Sequence, residues 1–319
     1  MPLPSSTHID TFASGILLGT TNEGMIADDV MPPIFSNKLT GKVAKMGEEH
    51  YRVDFVARQV GTPGYMIDFD VSSVSFDIEE FRLEFPIDDV QKDQYDDPYD
   101  AVRDGSMVVK QKLMLKKELL VSALLTTTGN YASGHTDTSG RSWNTPATGL
   151  PVDDVQTAIE KIISKKGVSE DNLYGFCSYK VYKMLRQNNQ IKNVFLNTSP
   201  GASAVGALSR AQIATCLGLA GLSVSPSIQN TAKKGATASK SYVWGASHFG
   251  VFYKPQTAGI MVPGFAYQVF PKIPILPGGQ VVIDRYREER LTSDIIRGRM
   301  LLDQIVGDSE LGFLYTNVT

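Results

Sequence analysis

Six aspartates, Asp88, Asp89, Asp93, Asp96, Asp97 and Asp100, crowd thirteen consecutive positions, and carboxylates at that density can hold a hard cation through their oxygens. The same run leads through Pro98 into a long apolar-periodic stretch. There the acids offset the positive end of a helix and stay solvated, which is the stronger reading. The other chemistry-bearing residues do not group. His8, His50, His135 and His248 stand far apart, and no HxxxH, HxH or CxxC spacing exists to ligate a metal. Cys177 and His248 could serve as nucleophile and base, but Cys177 closes an apolar run and reads as a small packed hydrophobe. Gly201 and Gly206 keep the gap of a phosphate loop, yet Ala207-Leu208 replaces the Lys-Ser/Thr such a loop requires. No catalytic, cofactor or metal site is expected. An α/β enzyme without a recognisable motif stays as the remote alternative.

The acids precede a helix too long for a compact domain. Pro98 marks its start and Gly129 its stop, and Asp100 to Thr128 would span roughly 40 Å at 1.5 Å per residue. Ala101, Val108, Leu115, Leu119 and Ala123 line one apolar edge, extended by Val102, Val109, Leu113, Leu120 and Leu124. Met107, Met114, Val121 and Leu125 form a second stripe on the other side, near Arg103 and Lys110. A strut gripped from two directions is expected, with one grip supplied by another subunit.

Upstream, residues 1–37 read as an extended arm, and from Glu49 the sequence alternates as strands do, with a turn at Gly61-Thr62-Pro63-Gly64. The phase of the returning strand slips twice, so bulges or bends are expected near Ser72-Ser73 and Glu79-Glu80. A two-stranded ribbon is marginal alone in water and must lean on something outside its own domain. After a Gly/Ser/Thr-rich passage from Gly129 to Gly149 the texture becomes α/β. A helix carries Val155, Ala158, Ile159, Ile162 and Ile163 behind the caps Asp153 and Asp154. A strand from Leu173 to Cys177 precedes a helix that Ser178 can cap, and Ser209 caps a further helix. A strand from Leu222 to Ile228, a polar loop and a strand from Tyr242 to Tyr253 follow. Five prolines then exclude regular helix, and the runs VVIDRYREER and DIIRGRMLLDQIV are expected to pair antiparallel.

The chain has 319 residues, 42% of them hydrophobic and 20% charged, and so suits one large or two medium domains. A formal charge of −3 lacks the strongly basic balance of a tight nucleic-acid binder. Two cysteines suit a reducing cytosol. Neither a signal peptide nor a membrane span is expected.

The order of these pieces carries a resemblance. An arm, a ribbon opening with Thr40-Gly41-Lys42, the acidic approach, a long helix bearing Leu-x-x-Lys-Lys-Glu, an α/β part and the charged hairpin DRYREERLTSDIIRG together resemble the tailed-bacteriophage major capsid proteins of the Hong Kong 97 type. The segment SYVWGASHFGVFYKP adds to it. Where the family often has Arg-x-Pro-Gly in the ribbon, this chain has Arg58-Gln59-Val60-Gly61.

The resemblance implies an α+β fold: an N-terminal arm over 1–37, an extended E-loop ribbon over 38–80 and a peripheral (P) domain over 81–149 with a spine helix at about 99–128. An α/β axial (A) domain over 150–254 and a return to the P domain with a C-terminal β-hairpin over 255–319 complete it. It implies self-assembly into hexamers and pentamers of an icosahedral head that encloses double-stranded DNA, in the virion, after assembly in the host bacterial cytoplasm. A scaffolding protein, a portal, a possible decoration protein and weak non-specific contact with packaged DNA are the implied partners, and an encapsulin-like nanocompartment is the alternative. The candidate subunit contacts are Lys42, Lys45, Arg58, Asp96, Asp97, Met107, Met114 and Val121. Of these, the basic early ribbon is expected to meet the acidic helix approach of a neighbour.

Overall fold

In a computed structural model of the protein, one fourteen-residue strand organises half of the molecule. The structure describes residues 24–47, 71–90, 101–198, 208–259, 262–272 and 281–319, save Lys234 and Ala238, with only isolated positions between 48 and 70. The elements in chain order are helix α1 (Ala27–Val30), strands β1 (Pro33–Ser36), β2 (Thr40–Met46), β3 (Val71–Asp77) and β4 (Glu79–Asp88), and the spine helix α2 (Ala101–Thr126). Strand β5 (Thr136–Asp137), α3 (Pro151–Lys166), β6 (Leu173–Ser178), α4 (Tyr179–Gln187), α5 (Asn189–Thr198) and α6 (Arg210–Leu217) follow. Strands β7 (Gly221–Ser225), β8 (Ile228–Asn230), β9 (Lys240–Tyr242), β10 (Phe249–Tyr253), β11 (Ala266–Pro271), β12 (Val282–Glu288), β13 (Ser293–Val306) and β14 (Gly312–Tyr315) complete the chain.

The long strand β13 is the hub of the first sheet. It pairs antiparallel with β12, β4 and β11, and β11 in turn takes β1 of the arm in parallel. Alternate residues of β13 divide its two faces, as strand geometry requires. Ile296, Gly298, Met300 and Leu302 are buried, and the spine helix lies over Gly298. A Cβ on Gly298 would sit 2.4 Å from Val109 Cγ1 and 2.7 Å from Leu113 Cδ1, so a side chain there would push the helix off the sheet. Gly105 answers it on the helix, close against Phe85 and Ile296.

The second sheet has the order β5-β14-β10-β6-β7 and belongs to the α/β body. The last strand, β14, therefore joins this body, whereas the resemblance assigns everything after 255 to the P domain; apolar Phe313 and Leu314 are buried in the α/β core. Trp143 packs edge-on against Phe249 at 5.2 Å, which brings the Gly/Ser/Thr-rich passage onto the same core. Helix α3 begins at Pro151, two residues before Asp153, so Asp153 and Asp154 occupy its first turn and are not its caps. It ends where Gly167 turns left-handed at φ 58°. Ser209 closes a full capping box with Gln212, whereas Ser178 takes the N-cap position of α4 without a side-chain cap bond. The single strand expected over 242–253 is shorter: Val243 to His248 turn, and β10 starts at Phe249.

Two expectations about the spine and ribbon change. The spine helix runs 26 residues, about 39 Å, but its buried side is neither stripe alone. Val109 and Leu113 are buried in the first half and Val121 and Leu125 in the second, a turn of about 120° at 100° per residue. The reason is that the first half lies on the β4/β13 sheet and the second enters the α/β core, so this chain supplies both grips. Val108, on the expected main edge, is 39% exposed. In the ribbon, β2 and β3 pair without interruption from Thr40↔Asp77 to Met46↔Val71, so no bulge interrupts Ser72-Ser73. The slip near Glu79 marks a change of sheet: β3 belongs to the ribbon and β4, beginning after Ile78, to the β13 sheet.

Candidate assembly surfaces

The ribbon leaves the body from a packed base. Val43 and Phe76 are buried with Ile34, Ile78, Tyr267, Val269 and Ile305, so the ribbon's first support is its own chain. Lys42 points to solvent from β2. Lys45 does not: its ammonium lies 3.0 Å from Asp308, whose other oxygen accepts from Lys166 at the end of α3 at 3.1 Å. Lys166 also meets Glu310 at 2.9 Å. Burial works against the Lys166 charge, but hydrogen bonds to Glu310 and Asp308 outweigh it and lift the ammonium above its ordinary range. One carboxylate thus ties the ribbon to the α/β body, and Lys45 has a partner at home where a neighbour's acids were expected.

A second junction fastens the arm to the spine. Glu118, fully buried, accepts hydrogen bonds from the backbone N–H of Ile26 at 3.0 Å and of Ala27 at 2.9 Å, and from the indole N–H of Trp244 at 2.5 Å. Burial pushes its carboxyl up; the bonds from Ile26, Trp244 and Ala27 and the charge of Lys117 pull against that, and the balance stays above the ordinary range. The neighbouring Lys117 holds Asp28 with both carboxylate oxygens within 2.8 Å. Gln268 of β11, also buried, donates to Ala27 O, Asp28 Oδ1 and Met31 O. The Lys-Lys-Glu of the spine motif therefore has work inside the subunit. Its partners lie 89 to 126 residues away in sequence, and only the run of charge on an otherwise apolar helix marks it in advance.

The third surface is the charged hairpin. Asp284, fully buried, takes the guanidinium of Arg297 from the directly opposite position on β13, and Arg297 stacks 5.0 Å over Tyr286. The bond to Asp284 raises the Arg297 guanidinium further above its usual range. Glu84 of β4 flanks Arg297 on the other side, giving a carboxylate–guanidinium–carboxylate row across three strands. Arg287 holds Asp89 through two bonds, at 2.5 and 2.6 Å. Asp89, and Asp88, which accepts from the N–H of Val90, thus have partners within the chain.

Among the remaining candidates, Met107 and Met114 are half-buried on the spine, and Val121 is wholly inside the subunit core, which removes it as a contact between subunits. A residue with no exposed surface in the folded chain has none to offer a neighbour. Arg58, Asp93, Asp96, Asp97, Asp100 and the loop from Gly201 to Gly206 lie outside the described residues.

Chemistry stays sparse. Cys177 is buried on β6, and burial pushes its thiol well above the usual range, the opposite of an activated nucleophile. His248 is held below the ordinary imidazole range by burial. Among the described residues no group of three or more His, Cys, Asp or Glu is placed to hold a metal, and no helix is long and apolar enough to cross a membrane.

No protein-family model matches the sequence. The major capsid protein of Burkholderia phage BcepMu is 24% identical over 178 residues, which is 55% of this chain and 57% of that protein, so the match spans little over half the length of that relative. Among solved structures, a phage-related protein of Bordetella bronchiseptica RB50 is similar with a TM-score of 0.72 over 97% of both chains at 17% identity. The capsid protein of cyanophage P-SCSP1u follows with a TM-score of 0.64 over 94% of this chain and 90% of that one, at 13% identity. Over nearly its whole length the protein thus has the α+β fold of tailed-phage capsid proteins, the Hong Kong 97 type.

Proposed function

We propose that the chain is the structural subunit of a phage head, a major capsid protein that self-assembles into hexamers and pentamers of an icosahedral shell around double-stranded DNA. The observation that carries this reading is the likeness of nearly the whole chain to a cyanophage capsid subunit, with the BcepMu major capsid protein as a sequence relative. A ribbon of two strands projecting from its base suits a subunit whose outer parts are completed by copies of itself. Lys42, exposed on that ribbon, is a candidate contact for the acidic approach at Asp96 and Asp97 of a neighbour, and half-buried Met107 and Met114 are candidate contacts along the spine. A scaffolding protein, a portal and a decoration protein are further partners in this reading, with assembly in the host cytoplasm. An encapsulin-like compartment would use the same fold around a protein cargo; the phage relative favours the head. Negative-stain microscopy with light scattering on the purified protein tests the proposal. Closed hollow shells are expected, and a compact monomer at every protein and salt concentration would refute it.

A further inference from the structure

Between Asp171 and Asp284 the chain runs 112 residues without one Asp or Glu while carrying ten Lys or Arg. At the frequency of the whole chain, 34 acids in 319 residues, about a dozen would fall there. The formal charge of the chain is −3, so the +10 of this segment leaves −13 on the rest. The modest net charge therefore hides a strong segregation.

This segment builds most of the α/β body: β6, α4, α5, α6, β7, the β8–β9 hairpin and β10. Lys180 and Lys183 are exposed on α4, Arg210 opens α6, and Lys233 and Lys240 stand exposed on the hairpin. Among the described residues none of the segment's cations lies within ion-pair distance of a carboxylate. Elsewhere ion pairs within the chain are common, although Lys42, Lys112 and Lys116 also stand exposed. Lys45, Lys117, Arg141, Lys166, Arg285, Arg287 and Arg297 all meet carboxylates of their own chain. The acids of the same body lie outside this segment: Asp137, Asp153, Asp154, Glu160, Glu170 and Asp171 up to its start, and Asp308 and Glu310 beside the closing strand β14.

We propose that this carboxylate-free part of the α/β body is a contact surface for the phosphate backbone of double-stranded nucleic acid. A contact with another copy needs complementarity over one patch of some 20–30 residues, and acids on the other faces would not disturb it. A polyanion that samples many positions responds instead to the summed field of the whole surface, so every carboxylate there would weaken it. The excluded acids on helices, strands and hairpin alike match the second case. The segregation of charge is a property of this chain alone, and the shell reading only says which nucleic acid is met.

The test is fluorescence anisotropy of a short labelled random-sequence duplex with unassembled subunits, between about 50 and 200 mM salt. Wild type is expected to bind at the low end and lose affinity steeply with salt. Lys180→Gln with Lys183→Gln and Arg210→Gln should flatten the logarithmic salt slope by up to about 2.7, at ~0.9 for each phosphate no longer neutralised. Lys233→Gln with Lys240→Gln should flatten it less, and Lys112→Gln with Lys116→Gln, exposed on the spine, should leave it unchanged. Absence of wild-type binding at low salt overturns the proposal, as does an equal loss in the spine variant. Unchanged duplex binding with a raised subunit concentration for assembly would assign the surface to a second copy instead. Microscopy separates the two readings: shells without duplex binding sink this proposal alone, and binding without shells sinks the shell reading.

Discussion

Glu118→Ala is the sharpest perturbation of the subunit, because one side chain satisfies three buried donors. Its loss leaves Ile26 N–H, Ala27 N–H and the Trp244 indole without a partner. An orphaned buried donor costs about 1–3 kcal/mol, so the three together cost ~3 kcal/mol at the low end and ~9 at the ceiling. The low end applies where water enters the space the carboxylate vacates. Against a total stability of about 5–15 kcal/mol even that is a large fraction. In urea, with a slope near 3 kcal/mol per molar, the midpoint should fall by about 1 M. The assay is urea denaturation of unassembled subunits combined with amide exchange at Ile26 and Ala27, which should lose protection first. Glu118→Gln keeps one acceptor oxygen and should fall between. It also removes a proton linkage: a carboxyl raised by burial contributes stability that is full below the ordinary glutamate range and is lost as pH rises through its folded value. Wild type should therefore weaken across that window and the Gln variant should not. An unchanged midpoint together with unchanged protection at Ile26 and Ala27 in the Ala variant would refute the clamp.

Gly298→Ala should cost about 1–3 kcal/mol by overpacking against Val109 and Leu113, read as a lower thermal midpoint; a neutral result would mean the spine does not rest on β13. His248 is half-buried, with its Nδ1 buried and unpartnered and its pKa depressed, so stability is full above about 6.5 and falls as pH drops through the depressed value. His248→Gln should flatten that fall in denaturation midpoints taken across the range. Met107→Asp and Val121→Asp should separate two processes: the first leaves a folded subunit that assembles poorly, while the second, placing a carboxylate at a site with no exposed surface, prevents folding. Circular dichroism and light scattering distinguish them, and a folded, soluble Val121→Asp would contradict the core position.

What the sequence made legible was local or ordered. The spine helix, the capping box at Ser209, the apolar face of α3 and the β12–β13 hairpin all announce themselves through periodicity or short spacing. What stayed hidden depends on distant partners. Val108 looks like core on a helical wheel but lies outward, because which side a helix buries is decided by what crosses it, and here two different layers cross it in turn. Lys45 looks like a solvated ribbon lysine until Asp308, more than 260 positions away, arrives beside it. The phase slip near Glu79 has a structural cause, but a change of sheet and a bulge leave the same mark on alternation, and no break in pairing stands at Ser72-Ser73. For the candidate contacts, exposure separates Lys42 from Val121, a distinction that residue type alone does not carry.

The position of β13 has a consequence for how the subunit comes into being. This strand is the shared partner of β4, β11 and β12, yet it follows β4 by about two hundred residues. During synthesis, at about 5–20 residues per second, β4 and the spine helix emerge some tens of seconds ahead of the strand that will cover them. Contacts of such sequence separation are slow to close, and the uncovered apolar side of the spine must wait for them. A growing chain therefore lacks a finished sheet until β13 has been made, and with it the frame from which the ribbon projects. Copies that have not yet made β13 have no completed sheet with which to engage one another, so association waits on the order in which the strands are made.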